Sequence, residues 1–267
     1  GKRSDGTSAA KATPRPAWGR AGMTGRQGIQ QPIQERKCAV GHNDLKPGAI
    51  RFIVLMGFVS LFADMTYEGA RGITGPYLSQ LGASAAAVGF VGGFGELIGY
   101  GLRLLSGRLA DRTRRYWLLT IAGYGINLLA VPLLALAGRW EVAAGLIIAE
   151  RLGKAVRTPS RDAMLSHASR QVGTGWGFGL HEALDQIGAV SGPLMVAATM
   201  FFAGNRYRAG FGVLFIPAVL ALLLLFVSRR LYPNPQALET EQSRHQTPPD
   251  GKLPRVFWLY TAFTAAS

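Results

Sequence analysis

The 267 residues carry 29 Lys and Arg against 15 Asp and Glu, a formal net charge of +14, yet only 16% are charged and 48% are hydrophobic. A soluble chain this basic would point to a nucleic-acid partner, but here the bases flank apolar stretches of about twenty residues, which excludes that class. The single Cys38 excludes an intrachain disulfide framework and a cysteine-based metal site.

Residues 1–47 are polar, basic and rich in Gly, Pro, Ala and Gln. They read as a disordered cytoplasmic tail unable to bury enough surface to fold, and they hold no continuous apolar run of the kind a secretory signal requires. A six-helix transmembrane bundle is then expected over 48–230. A bilayer core of about 30 Å needs about 20 mostly apolar residues per crossing, and six such runs follow, over 52–78, 85–106, 116–137, 141–156, 176–202 and 207–227. The last holds Leu222 to Leu225 in an unbroken row and no polar face, unlike a soluble core helix. A polar, Pro-containing cytoplasmic linker is expected over 231–254. The apolar run over 255–267 is too short to cross and reads as the truncated start of a seventh helix.

Lys and Arg in short connections set orientation. Arg108, Arg112, Arg114 and Arg115 follow the second run; Arg157, Arg161 and Arg170, with Lys154 at the edge, follow the fourth; Arg229 and Arg230 follow the sixth. The intervening connections hold only Arg139, Arg206 and Arg208. The amino terminus is therefore expected on the cytoplasmic side of a plasma (inner) membrane.

The turn after the second run reads Gly-Arg-Leu-Ala-Asp-Arg-Thr-Arg-Arg from Gly107 to Arg115. It resembles the signature loop of the major facilitator superfamily, through Gly107, Leu109, Ala110, Asp111, Arg112 and Arg115. Arg114 stands where that family usually has Gly, and Tyr116 where it has a base. The stretch 150–162 is a partial match to the family's helix-four motif through Arg151, with Lys154-Ala155 replacing the usual Gln-Gly pair. The resemblance implies an all-α integral membrane fold of twelve helices in two bundles, each a pair of inverted three-helix repeats, with substrate bound between the bundles and alternating access by rocking. This chain then corresponds to the amino-terminal half, and a carboxy-terminal half of the same transporter is the expected partner, beside lipid, a small-molecule substrate and protons. Gly107, Asp111, Arg112, Arg115 and Arg151 form the implied gating set. An acid such as Asp111, at a helix end among bases, can pair with them or cap a neighbouring helix in one state only.

Ionisable residues inside the spans are costly and usually face a cavity or a partner. The first span places Asp64, Glu68 and Arg71 along one face, with Arg71 able to neutralise Glu68. The second carries Glu96 near its middle, too deep to snorkel, and Arg103, which could reach the interface. Its pairs Gly89/Gly93 and Gly95/Gly99 suit small-xxx-small packing. The fifth carries His181, Glu182 and Asp185, followed by Gly188, Gly192 and Pro193, a glycine-rich end expected either to bend the helix or to let another pack closely. His181 and Asp185, four apart, could share a proton. Asp64, Glu68, Arg71, Glu96, His181, Glu182 and Asp185 are the substrate and proton-coupling candidates, each with a purely structural role as its alternative. Glu150 and Arg151 are not at helical pairing distance, and Asn127 reads as an interhelical hydrogen bond. Trp117, Trp140, Trp176 and Tyr207 read as interfacial anchors. No zinc-hydrolase, nucleophile-elbow or phosphate-loop motif occurs, so no cofactor or metal is expected. The function expected is proton-coupled secondary active transport of a small solute by alternating access; the alternatives are a membrane-embedded enzyme and a non-transporting assembly or regulatory bundle.

Overall fold

The computed structural model describes residues 45–234. Residues 1–44 of the expected tail, 235–254 of the linker and the run over 255–267 lie outside them. Among the described residues the chain is all helical: α1 Leu45–Gln80, α2 Ala85–Thr113, α3 Tyr116–Leu133, α4 Trp140–Val172, α5 Thr174–Phe202, α6 Tyr207–Val213 and α7 Phe215–Leu231. Five stretches are long and apolar enough to cross a membrane, namely α1 from Pro47, α2, α3 with its 3-10 turn, α5, and α6 with α7. α4 is as long, at 33 residues, but is too charged to count by composition.

Local chemistry sets the turns. Ser84 caps α2, its hydroxyl accepting from the Ala87 amide at 3.2 Å, and Gly82 supplies the positive φ that reverses the chain. α2 stops at Arg114, which is left-handed at φ 53° with its amide donating to the Ala110 carbonyl. Only glycine adopts that conformation without steric cost, which accounts for glycine being usual at this position of the signature loop. Arg114→Gly is expected to stabilise the fold by about 0.5–1 kcal/mol, read as a higher melting temperature of the purified protein. The apolar run over 207–227 is broken at Leu214. Pro217 lacks the amide that would bond to the Val213 carbonyl and crowds that carbonyl, which favours a break in the helix there.

α1 packs chiefly against α5, and α4 against α3 and α2, with α7 against α1 and α3. Two apolar clusters fill the interior. One joins Phe52, Met56, Trp117, Tyr124, Leu165 and Leu225, at the end where α1 begins. The other joins Tyr77, Leu78, Val131, Ile147, Phe211 and Leu214, at the opposite end. The start of α3 meets the end of α7 through Trp117 Nε1, which donates to the Tyr232 carbonyl at 3.0 Å. Trp117 is thus buried beneath Phe52, a correction to its reading as an interfacial anchor.

Helix boundaries differ from the sequence reading at several places, α2 running past 106 to Thr113 so that Arg108 and Arg112 are helical and not in a connection. α1 begins at Leu45, before position 52. α4 runs on to Val172, so Lys154, Arg157 and Arg161 are helical and partly or wholly buried instead of lying in a connection. The turn into α5 is Gly173 alone, at φ 100°. Of the bases counted there for orientation, Arg170 remains exposed near the turn.

The small residues of α2 do not pack as expected. A Cβ added at Gly89, Gly92, Gly93 or Gly99 would meet no atom of a neighbouring helix within 4 Å among the described residues, and one at Gly95 would meet only the Arg151 side chain. Close backbone approach occurs instead between Gly123 of α3 and Gly153 of α4, and where Gly188 and Gly192 of α5 lie on the α1 backbone. The reading of the α5 glycines as a close-packing surface agrees with this geometry.

Candidate functional site

Between the two apolar clusters lies a layer of charged and polar side chains with α4 as its hub. Arg151, Lys154, Arg157 and Arg161 recur at intervals of three or four residues, which places them on one helical face. That face looks across α1, α2, α3 and α5.

On the α1–α5 side, Arg157 is 1% exposed and pairs with Asp64 at 3.6 Å, while its guanidinium lies over the Tyr124 ring at 4.3 Å. One turn on, Arg161 Nη1 donates to Ser60 Oγ at 3.0 Å and lies 3.8 Å from Asp185 Oδ2; its Nε and Nη2 bind Asp162. Ser60 Oγ is also within 3.2 Å of His181 Nε2 and 3.3 Å of the Tyr124 hydroxyl. His181 and Asp185, both buried, face each other at 3.7 Å, as their spacing anticipated. His181 Nδ1 and Asp185 Oδ1 are buried without a hydrogen-bond partner. Glu182 is exposed and accepts a hydrogen bond from Gln186, so the structure leaves it out of this cluster.

On the α2 side, Arg151 is the junction. It pairs with Glu96 at 2.7 Å and with Glu150 at 3.3 Å, donates to the Tyr67 hydroxyl, and lies over the Tyr67 ring. The contact with Glu150 corrects the expectation that these sequence neighbours form no pair: Glu150 is 6% exposed and its carboxylate folds back beside Arg151. Asn127 donates both to the Glu150 carbonyl at 3.1 Å and to its carboxylate at 2.8 Å, the interhelical bond expected of it. Arg71 reaches Glu68 at 3.6 Å, as spacing predicted, and Glu96 at 3.9 Å.

Two cavities flank this junction. One, of about 180 Å³, is lined largely by apolar side chains including Ala70, Leu78, Val91, Leu134 and Ile147. The other, of about 280 Å³, is lined by Glu96, Tyr100, Arg103 and Lys154. Both share Tyr67, Arg71 and Arg151 as walls.

The implied gating residues are elsewhere. Asp111, Arg112 and Arg115 are exposed and form no ion pair among the described residues, while Gly107 passes Pro159 of α4 at van der Waals distance. Arg151, grouped with them by motif, lies with Glu96 and Tyr67. Sequence reasoning missed Ser60, Tyr67, Lys154, Arg157 and Arg161 as site residues. The three-and-four spacing of the α4 bases was the available signal.

The family model described as Major Facilitator Superfamily matches residues 53–267. An uncharacterized protein of Mycobacterium tuberculosis is 50% identical over 220 residues, a match covering 81% of this chain and 54% of the relative. One from Mycobacterium bovis matches to the same extent. An uncharacterized MFS-type transporter of Methanocaldococcus jannaschii is 29% identical over 186 residues, covering 68% of this chain and 46% of the relative. The chain spans about half the length of the curated relatives it matches.

Proposed function

The chain belongs to the major facilitator superfamily, and from that premise we propose that it forms the amino-terminal six-helix half of a twelve-helix secondary transporter, moving a small solute by alternating access with proton coupling. In this reading α4 is the fourth of six crossings, joining the five that composition alone picks out. At 1.5 Å per residue its 33 residues reach about 50 Å, well beyond the bilayer core, and its inward bases are largely neutralised by acids on α1, α2 and α5. α6 and α7 make one broken crossing, and α1–α3 and α4–α7 are the two inverted repeats. The bases at the α2–α3 turn and the end of α7 put that end, with the amino terminus, in the cytoplasm of a plasma membrane.

The single observation that carries the reading is the ionic layer at mid-height, drawn from α1, α2, α4 and α5 and enclosed by apolar packing above and below. Charges at that depth are costly, and in membrane proteins they mark ion and substrate paths. Asp185 and His181 offer buried, unpartnered atoms beside Arg161, the chemistry of a site that takes up and releases a proton. Asp111, exposed and unpaired among the described residues, is available to a partner in the other half of the protein, in keeping with a gate that closes in one state only.

The full-length gene product in proteoliposomes loaded with a pH-sensitive dye tests this. Solutes that collapse or build a proton gradient identify coupled transport. Asp185→Asn and Glu96→Gln are expected to abolish solute-driven proton movement while the protein still folds. Unchanged coupling in both variants would remove the proton assignment, and no solute flux from the wild type would remove transport itself.

A further inference from the structure

We propose that the α1–α2–α4 cavities bind an amphiphilic organic anion, its charged group seated between Arg103 and Lys154 and its apolar part in the adjoining cavity. This names the substrate class of the transport site proposed above and rests on that reading.

The charge balance of the polar cavity points to an anion. Four cations line it, Arg71, Arg103, Arg151 and Lys154, against the one carboxylate of Glu96. Glu96 is already taken, by Arg151 at 2.7 Å and Arg71 at 3.9 Å. The acids whose fields reach Lys154 are also engaged: Asp64 by Arg157, Glu150 by Arg151 and Asn127, and Glu68 by Arg71. Lys154 and Arg103 form no ion pair among the described residues. Their ammonium and guanidinium lie over aromatic rings, Lys154 Nζ 3.4 Å from the Tyr67 centroid and Arg103 5.3 Å from that of Tyr100. The Arg103 Nε is buried with no hydrogen-bond partner. Ring faces hold a cation in place without pairing its donors, so both groups keep those donors for an incoming anion.

The second cavity specifies the rest of the molecule. It shares Tyr67, Arg71 and Arg151 with the first and continues among aliphatic side chains of α1, α2, α3 and α4. A free inorganic anion would leave that volume unfilled, and a wholly apolar solute would leave two cations uncompensated. A carboxylate, phosphate or sulfate carrying a small hydrocarbon or aromatic group satisfies both. The competing source of negative charge is an acidic side chain from the other half of the transporter.

Thermal denaturation of the purified full-length protein separates these, with benzoate, phenyl phosphate, benzyl alcohol, benzylamine and acetate as probes. Benzoate or phenyl phosphate is expected to raise the melting temperature saturably, by about 2–4 °C, while benzyl alcohol and benzylamine give no saturable shift and acetate a smaller one. Lys154→Met and Arg103→Gln should abolish the shift, and Lys154→Arg should retain it. In the absence of probe, Lys154→Met should melt no lower than wild type, because it removes an uncompensated charge. A lower melting temperature of Lys154→Met, together with no response of the wild type to either anion, would place an internal acid on Lys154 and overturn the proposal. Saturable stabilisation by benzylamine or benzyl alcohol equal to that by benzoate would overturn the anionic class while leaving transport standing. Absence of any anion-selective shift would likewise overturn it, and the flux assay on the same preparation then decides separately whether transport survives.

Discussion

Replacing Gly188 by alanine is expected to prevent this bundle from assembling as a monodisperse particle, whereas Gly145→Ala should leave it intact. A Cβ at position 188 would lie 2.2 Å from the Leu61 carbonyl oxygen, and one at 192 would lie 2.3 Å from that of Met65. Both oxygens belong to the α1 backbone, so no rotamer change relieves the clash and α5 must move away bodily. Forced overpacking costs about 1–3 kcal/mol where side chains can yield and more where they cannot. A loss of about 3 kcal/mol or more is therefore expected, a large fraction of an ordinary folding stability. Separation of α5 from α1 would also draw His181 away from Ser60, tying the packing defect to the site. A Cβ at position 145 would meet no atom within 4 Å among the described residues, and alanine there improves helix propensity. Size-exclusion profiles and melting curves of the two variants check this. Normal assembly of Gly188→Ala would mean that α1 and α5 are farther apart than 2.2 Å implies.

The same pair of glycines shows how far the sequence could be read. Apolar runs are legible because the bilayer imposes a length and a composition on each crossing, so five stretches appeared near their places and the glycines of α5 were recognised as a packing surface. α4 was cut short at 156 because Arg157 and Arg161 resemble loop charges when only their own helix is considered. Their neutralising partners, Asp64 and Asp185, lie on α1 and α5, and a contact between distant segments leaves no trace in local periodicity. Asn127 was legible as a hydrogen-bonding residue, but its partner Glu150 was not, for the same reason. The glycines of α2 misled in the other direction. Small-residue spacing marks a surface that can be approached closely, without saying that anything within the chain approaches it. Pro217 was a signal passed over: an uninterrupted apolar run looked like one helix although its proline forbids the bond that would continue it. The candidate acids are legible because carboxylates in apolar segments are rare, and Arg71 and Arg151 are legible beside them; Arg157 and Arg161, which hold Asp64 and Asp185, are not, because bases near span ends are common.

Arg157 and Asp64 give the clearest test of whether the ionic layer serves the fold or the function. Arg157 is 1% exposed, and Asp64 is the only acid within ion-pair distance of it among the described residues. Asp64→Leu should therefore leave an almost fully buried guanidinium with only the face of Tyr124 for company, and removing one partner of a buried pair costs about 3–5 kcal/mol. Arg157→Met should cost less, since the Asp64 side chain is 18% exposed and can draw on water or on neighbouring bases. The double variant Asp64→Leu/Arg157→Met should recover most of the loss, because well-packed apolar groups often replace a buried ion pair at little cost. The expected order of melting temperature is Asp64→Leu lowest, Arg157→Met intermediate, and the double variant close to wild type. An Asp64→Leu protein as stable as wild type would show that Arg157 finds another anion. With stability restored, the double variant isolates function: if it folds and the full-length protein moves solute, the pair only ties α1 to α4, and if it folds without flux, the pair takes part in the transport proposed above.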